Sequence, residues 1–466
     1  MTAPRRAGWL FAYDWDRRAL DRLGGRAVFD SGGFDLFSFP SNAALLAFDI
    51  DRFARQQADK GRRAGWRAVL SHHEQFGALA AALVAERLGL PGTSPESILA
   101  AQHKLHARRV LQQVAPEANL GFAGLDAHYG GPVPDGLAYP RFVKPVKAAF
   151  SVLARRVDSA AELHAHTRFG RRELWVIRRL VEPFDRVCQA RLPQAGSAHR
   201  LLLEEPVPPQ VAQYNLDGWV QDGQVQALGV VDAVMVPGSQ AFMRWEVPSR
   251  LPAEVQQRAR DVARRFLQAI GYSHGFFNLE FFFDAPSGRL SVIECNPRLA
   301  SQFGDLHQRV LGLDAHAMAL ALAFGDDPLA APRRAPTAGA AASLVYRAAS
   351  ASAVPAQPSA AQQAAFARHH PDGLLYCFPK QGHGLARDFK WTGSHRYGIT
   401  HLGARDHDQL RARAEHASAL LGWPAPYHDQ PAWPIADPTR AALAEPPAAA
   451  PPARWADLPP QPQGAT

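Results

Sequence analysis

Apolar and polar positions along this chain change period several times, and each change predicts an element. Over the first 92 residues, short apolar strands are expected at Trp9 to Tyr13, Ala27 to Phe29 and Ala68 to Leu70, each followed by polar turn residues. From Glu74 to Leu88 an Ala/Leu face recurs at helical spacing and stops at Gly89, a residue suited to a left-handed helix end. This is a partial Rossmann-like pattern without GxGxxG, so it gives little support to dinucleotide binding.

After Leu90-Pro91-Gly92, Thr93 or Ser94 can cap a helix that has Pro95 in its first turn and carries Lys104. Strands and turns then alternate through Tyr139 to Lys144, Leu174 to Arg178, Leu201 to Glu205 and Gly218 to Val231. Pro252 opens an amphipathic helix whose apolar side is Val255, Ala259, Val262, Phe266, Leu267 and Ile270, and Gly271 ends it. The segment Met235 to Glu246, with Arg244, reads as a loop over a substrate. A strand is expected at Leu344 to Arg347, and the Pro/Ala-rich end has too little apolar surface to order. The expected organisation is an N-terminal α/β domain at 1–92, a central domain at 93–330, a small α+β domain at 331–425 and a tail at 426–466.

The most informative run is FFNLEFFFDAPSGRLSVIECNPR. Pro286-Ser287-Gly288 has the chemistry of a three-residue hairpin loop. With Ser287 at the midpoint, Asn278 faces Asn296, Glu280 faces Glu294 and Phe282 faces Val292. Strand alternation sends Leu279, Phe281, Phe283, Ile293 and Cys295 to the other, core-facing side. Two carboxylates directly across a ladder repel unless a cation lies between them, and oxygen donors of this kind suit Mg²⁺.

Composition narrows the partners. The 47% hydrophobic and 20% charged fractions fit a globular chain, and the net charge of +8 comes from scattered arginines rather than a basic block interleaved with aromatics, so nucleic acid is not expected. No run approaches transmembrane length, and Cys188, Cys295 and Cys377 lack metal or disulfide spacing, so a cytoplasmic protein without membrane contact is expected. Lysine is confined to positions 60, 104, 144, 147, 380 and 390, which makes each placement informative.

The paired carboxylates, with Glu294-Cys295-Asn296-Pro297-Arg298 on the second strand, resemble the ATP-grasp superfamily, most nearly its biotin-carboxylase-like and amino-acid-ligase branches. The resemblance covers about residues 70 to 330. It implies an α/β (α+β) ATP-grasp fold with a Rossmann-like domain before it, and ATP with two Mg²⁺ ions, or Mn²⁺, as cofactors. Glu280, Glu294 and Asn296 become the metal ligands. Lys104 and Lys144, in Phe142-Val143-Lys144-Pro145, match the family's phosphate-contacting lysines. Lys147 and Ser151 fall in the place of its small-residue phosphate loop, although this chain lacks the usual glycines there. The strand ending Glu204-Glu205-Pro206-Val207 looks like the adenine hinge, with either glutamate in reach of a ribose hydroxyl.

The activity so implied is a carboxylate-amine ligase that forms an acyl phosphate and then an amide, with Arg298 clamping the reacting carboxylate. Small carboxylate and amine substrates such as amino acids are the expected partners, and a homodimer is a family-level expectation. A carboxylating enzyme of the biotin-carboxylase type and a non-catalytic ATP-binding module are the alternatives.

Overall fold

The computed structural model describes residues 4–36, 41–148, 153–239, 241–330 and 333–430; Ser151 and the tail beyond 430 lie outside them. The chain opens with β1 (Arg5–Leu10), α1 (Asp14–Leu23), β2 (Ala27–Gly32), α2 (Ile50–Ala64), β3 (Trp66–Leu70) and α3 (Gly77–Leu88). The three strands form a parallel sheet in the order β2-β1-β3. Gly89 closes α3 at φ +63°, as expected, but the helix starts three residues later than the apolar spacing suggested, which leaves Glu74 in the strand-to-helix turn.

Next come α4 (Pro95–Gln102) and α5 (Lys104–Val114), so the single helix expected here is broken. His103 has φ −83° and ψ 92°, outside helical space, and its ring accepts the His106 N–H as the cap of α5. Lys104 therefore opens a new helix instead of continuing the old one.

A second, antiparallel sheet contains β4 (Phe122–Leu125), β5 (Arg141–Pro145) and β6 (Arg155–Val157), then α6 (Ala160–Thr167), α7 (Arg171–Arg191) and β7 (Leu201–Glu204), in the order β4-β7-β5-β6. The strand expected at Leu174 to Arg178 is instead the start of α7. The Leu-Trp-Val-Ile run mimics a strand locally. Val181, Phe184, Val187 and Cys188 continue one buried stripe at helical spacing, and Glu173 accepts the Gly170 N–H at the helix start.

The remaining strands are β8 (Ala212–Gln221), β9 (Gln224–Met235), β10 (Phe242–Val247), β11 (Gly275–Asp284), β12 (Arg289–Asn296), β13 (Ala340–Ala348), β14 (Leu374–Cys377) and β15 (His395–Ala404). They make one antiparallel sheet ordered β12-β11-β8-β9-β10-β13-β15-β14, interrupted in sequence by α8 (Ala253–Ala269). Strands from beyond residue 331 thus extend the sheet that begins with the acidic hairpin. Among the described residues, no helix is long and apolar enough to cross a membrane.

The acidic hairpin corrects the sequence reading in an instructive way. Asn278 does face Asn296, and Glu280 faces Glu294, but Phe282 faces Ser291 and Asp284 faces Arg289. The loop is four residues long, 285 to 288, and Ile293 is an extra residue opposite the Glu280/Phe281 step. The longer loop and the bulge offset each other, so the pairing expected at the acidic end is present for a different reason. The bulge also places Val292 and Leu290, at 1% and 2% exposure, on the core side in place of Ile293.

Candidate active site

Glu280 and Glu294 open onto a cleft of about 1260 Å³. Its walls come from the polar turn after β3, from the β11/β12 end, from Arg298 to Phe303, and from the ends of β13 and β15.

The two carboxylates are held differently. Glu294 Oε2 lies 2.6 Å from Lys104 Nζ, at the first residue of α5. Glu280 accepts from uncharged amides, Gln213 at 2.9 Å and Asn296 at 3.1 Å. Burial alone disfavours the charged form of both, but Lys104, Lys144 and Arg298 outweigh it at Glu294 and hold that carboxyl below its usual range. At Glu280, burial adds to repulsion from Glu294 and Glu74 and pushes the carboxyl well up. Their different surroundings therefore drive the two carboxyls apart, Glu280 upward and Glu294 downward.

Lys144, on β5, is buried beside Glu204, with Nζ 2.9 Å from Oε2. Arg108 takes the other Glu204 oxygen at 2.6 Å and donates to the carbonyls of Val292 at 2.7 Å and Ile293 at 3.1 Å. The bulge thus turns carbonyl groups toward two cations, tying α5, β7 and β12 together. Both oxygens of Glu204 are engaged in this knot. Glu205 points elsewhere, toward Arg289 at 2.5 Å.

Lys147 is buried, with Nζ 3.1 Å from Gln102 Oε1 and 4.8 Å from the Phe184 ring centre. Burial, reinforced by Lys104, lowers its ammonium to about 7. Arg298 projects just past the strand end and pairs with Glu74 at 2.6 Å. Arg244 corrects another expectation: Phe242 to Val247 is a strand, and Arg244 is locked inside it by Glu246 at 3.0 Å and Asp429 at 2.6 Å.

Of the expected site residues, Glu280, Glu294 and Arg298 line the cleft, while Lys104, Asn296, Lys144 and Glu204 stand behind them, linked through side-chain contacts. Residues the sequence reading overlooked join them. Glu74 had a signal: it lies in a polar run, Ser71 to Glu74, at the carboxyl end of a parallel strand, where α/β units commonly bind ligands. Arg108 also had one, four residues after Lys104 on the same helix. Gln213 had none, because only the sheet order brings β8 beside β11.

No protein-family model matches the chain. Over 273 residues, 55% of the chain, it is 28% identical to carnosine synthase 1 of Gallus gallus, covering 27% of that protein. Over 137 residues, 27% of the chain, it is 30% identical to the carbamoyl phosphate synthase large chain of Thermotoga neapolitana, covering 12% of that protein. The chain spans only a minor part of these curated relatives. Among solved structures, L-amino acid ligase from Bacillus licheniformis aligns over 90% of this chain and 98% of its own, with a TM-score of 0.64 and 15% identity. A biotin carboxylase complex from Campylobacter jejuni aligns over 89% and 91%, with a TM-score of 0.56 and 14% identity. The sheet architecture, shared over nearly the whole length of these structures, shows that this chain has the ATP-grasp fold.

Proposed function

We propose that the protein is an ATP-dependent ligase that joins a carboxylate to an amine, releasing ADP and phosphate. The observation that carries this reading is the half-buried Glu280/Glu294 pair, directly opposed across a ladder and bordered by Lys104 and Lys144. Like charges so placed are destabilising, and carboxylate and amide oxygens are the donors Mg²⁺ prefers, so the residues fit the ion. Bound by Glu280, Glu294 and Asn296, Mg²⁺ supplies charge neutralisation at the phosphates of ATP.

The chain's own side chains account for the rest. Lys104 sits at Glu294, where its ammonium can turn to a phosphate once the carboxylate has another partner. Lys144 is held rigid by Glu204, which favours a fixed position over a flexible one. The Arg298 guanidinium, oriented by Glu74, has N–H groups left to hold the reacting carboxylate while it attacks the γ-phosphate in line. The bond from γ-phosphorus to ADP breaks as the acyl phosphate forms. An amine then displaces phosphate to give the amide.

The likenesses to an amino acid ligase and, over part of the chain, to carnosine synthase support amino acids as the substrate class. Phosphate release measured across a matrix of amino acids and simple carboxylates, with mass spectrometry of the products, tests the reading. Amide formation that requires both a carboxylate and an amine is the expected outcome. Turnover driven by bicarbonate without an amine would replace it with a carboxylating enzyme, and Mg²⁺–ATP binding without any ADP release would replace it with a binding module.

A further inference from the structure

The same large sheet carries a second like-charged pair. Arg347 on β13 faces Arg396 on β15, and both side chains line the cleft that holds Glu280 and Glu294. Their opposition depends on a bulge. Tyr346 pairs with Gly398 while Arg347 pairs with Arg396, so Tyr397 is an extra residue and Arg396 is brought round to the face of Arg347. Cations directly across a ladder repel, and here no carboxylate within the described residues forms an ion pair with either one. The nearby acids have other partners: Asp388 holds Lys380 at 2.9 Å and His395 at 2.9 Å, and Asp14 holds Arg17 at 3.4 Å.

Among the described residues, little of the hydrogen-bonding capacity of the pair is used. Arg347 donates to the Phe242 carbonyl at 3.0 Å and to Ser394 at 3.1 Å. Arg396 lies over the Phe378 ring at 4.4 Å and 6.0 Å from that of Trp15, contacts that orient a guanidinium plane without satisfying its N–H groups. Burial, together with Arg396, lowers the Arg347 guanidinium to about 10. Around the pair the cleft is walled by Trp15, Phe242, Trp245 and Phe378.

We infer that Arg347 and Arg396 bind a second anionic group of the substrate, a carboxylate or phosphate distinct from the carboxyl that reacts, while the aromatic wall takes a flat or apolar body beside it. A planar fork matches either anion, and aromatic faces accept apolar bulk. That the anion belongs to a substrate rests on the ligase reading; that the pair binds an anion does not.

Calorimetric titration of the full-length protein without nucleotide, using N-acetyl-L-phenylalanine, its uncharged amide and phenyl phosphate, tests the inference. One anion is expected to bind at least about tenfold more tightly than the amide, the size of a charge-assisted contact. The tighter anion identifies carboxylate or phosphate as the preferred group. In Arg347→Gln and Arg396→Gln that advantage should disappear while the affinity for the amide stays the same. Lysine at either position should restore part of it. Added chloride should weaken the anions selectively in the unaltered protein, a readout that does not depend on any variant folding.

Equal binding of anion and amide by the unaltered protein would overturn the inference, as would an advantage that survives in both glutamine variants. Because no turnover is involved, failure to find ligase activity and failure of this anion site give separate results.

Discussion

Two like-charged pairs stand on one sheet and face one cleft: Glu280 with Glu294, and Arg347 with Arg396. Each is brought into opposition by a one-residue bulge, at Ile293 in the first case and Tyr397 in the second. They differ in what surrounds them. The carboxylates have Lys104 within 2.6 Å and amide donors nearby, whereas the guanidiniums have a carbonyl, a hydroxyl and aromatic rings. The carboxylates can partly relieve their repulsion by holding a proton at Glu280. Arginine cannot release one near neutral pH, so the second pair keeps its full charge.

The largest way to break this comparison is through Glu294, which carries both the proposed metal contact and the Lys104 pair. Glu294→Ala is expected to lower ADP release by about a thousandfold, or about 4 kcal/mol of barrier, in a coupled ADP assay with saturating Mg²⁺. ADP release unchanged by this substitution would remove the proposed metal site.

An opposite-charge pair in the same region should behave in the reverse sense. Arg108→Ala leaves Glu204 and two turned-out carbonyls short of a partner, and should cost about 3–5 kcal/mol in urea unfolding. A loss below about 1 kcal/mol would show that the knot is not holding α5 to β12.

Glu280→Gln should instead stabilise the protein while it is free of metal. The folded-state carboxyl titrates above the unfolded one, so its contribution is intact below the ordinary carboxylate range and is lost as pH rises toward neutrality and beyond. The variant should therefore unfold like the parent near pH 4 and be more stable by about 1–2 kcal/mol above neutrality. Mg²⁺–ATP is expected to raise the melting temperature of the parent, and the variant should lose that rise. A variant less stable than the parent at high pH would refute the repulsion.

The smallest expected effect belongs to the guanidiniums. Arg396→Gln should raise stability by about 0.5–1 kcal/mol in dilute buffer, and added salt should shrink the gain by screening the parent's repulsion. Melting curves across a salt series measure it. A gain that does not change with salt would assign the effect to packing rather than charge.

The acidic hairpin was readable in the sequence because strand alternation and a Pro-Ser-Gly turn are local. Those signals give the Glu280/Glu294 and Asn278/Asn296 oppositions only because the longer loop and the extra residue in the second strand offset each other. They did not reveal the bulge at Ile293, because an extra residue is selected by what uses its carbonyl, and Arg108 and Lys144 come from α5 and β5. The start of α7 was misread for a related reason. Its Leu-Trp-Val-Ile run has strand-like composition, and only burial along Val181 to Cys188 selects the helical period.

By itself, then, the sequence determined the helix ends at Gly89 and Gly271, the acidic hairpin, and the scarcity that singled out Lys104 and Lys144, both of which lie against that hairpin. Tertiary structure decided which distant groups met there: Glu74 with Arg298, Glu204 between Arg108 and Lys144, and Arg347 opposite Arg396. The division follows from range. Turn chemistry and side-chain period act over a few residues, whereas the charge a buried group can bear depends on neighbours supplied by the whole fold.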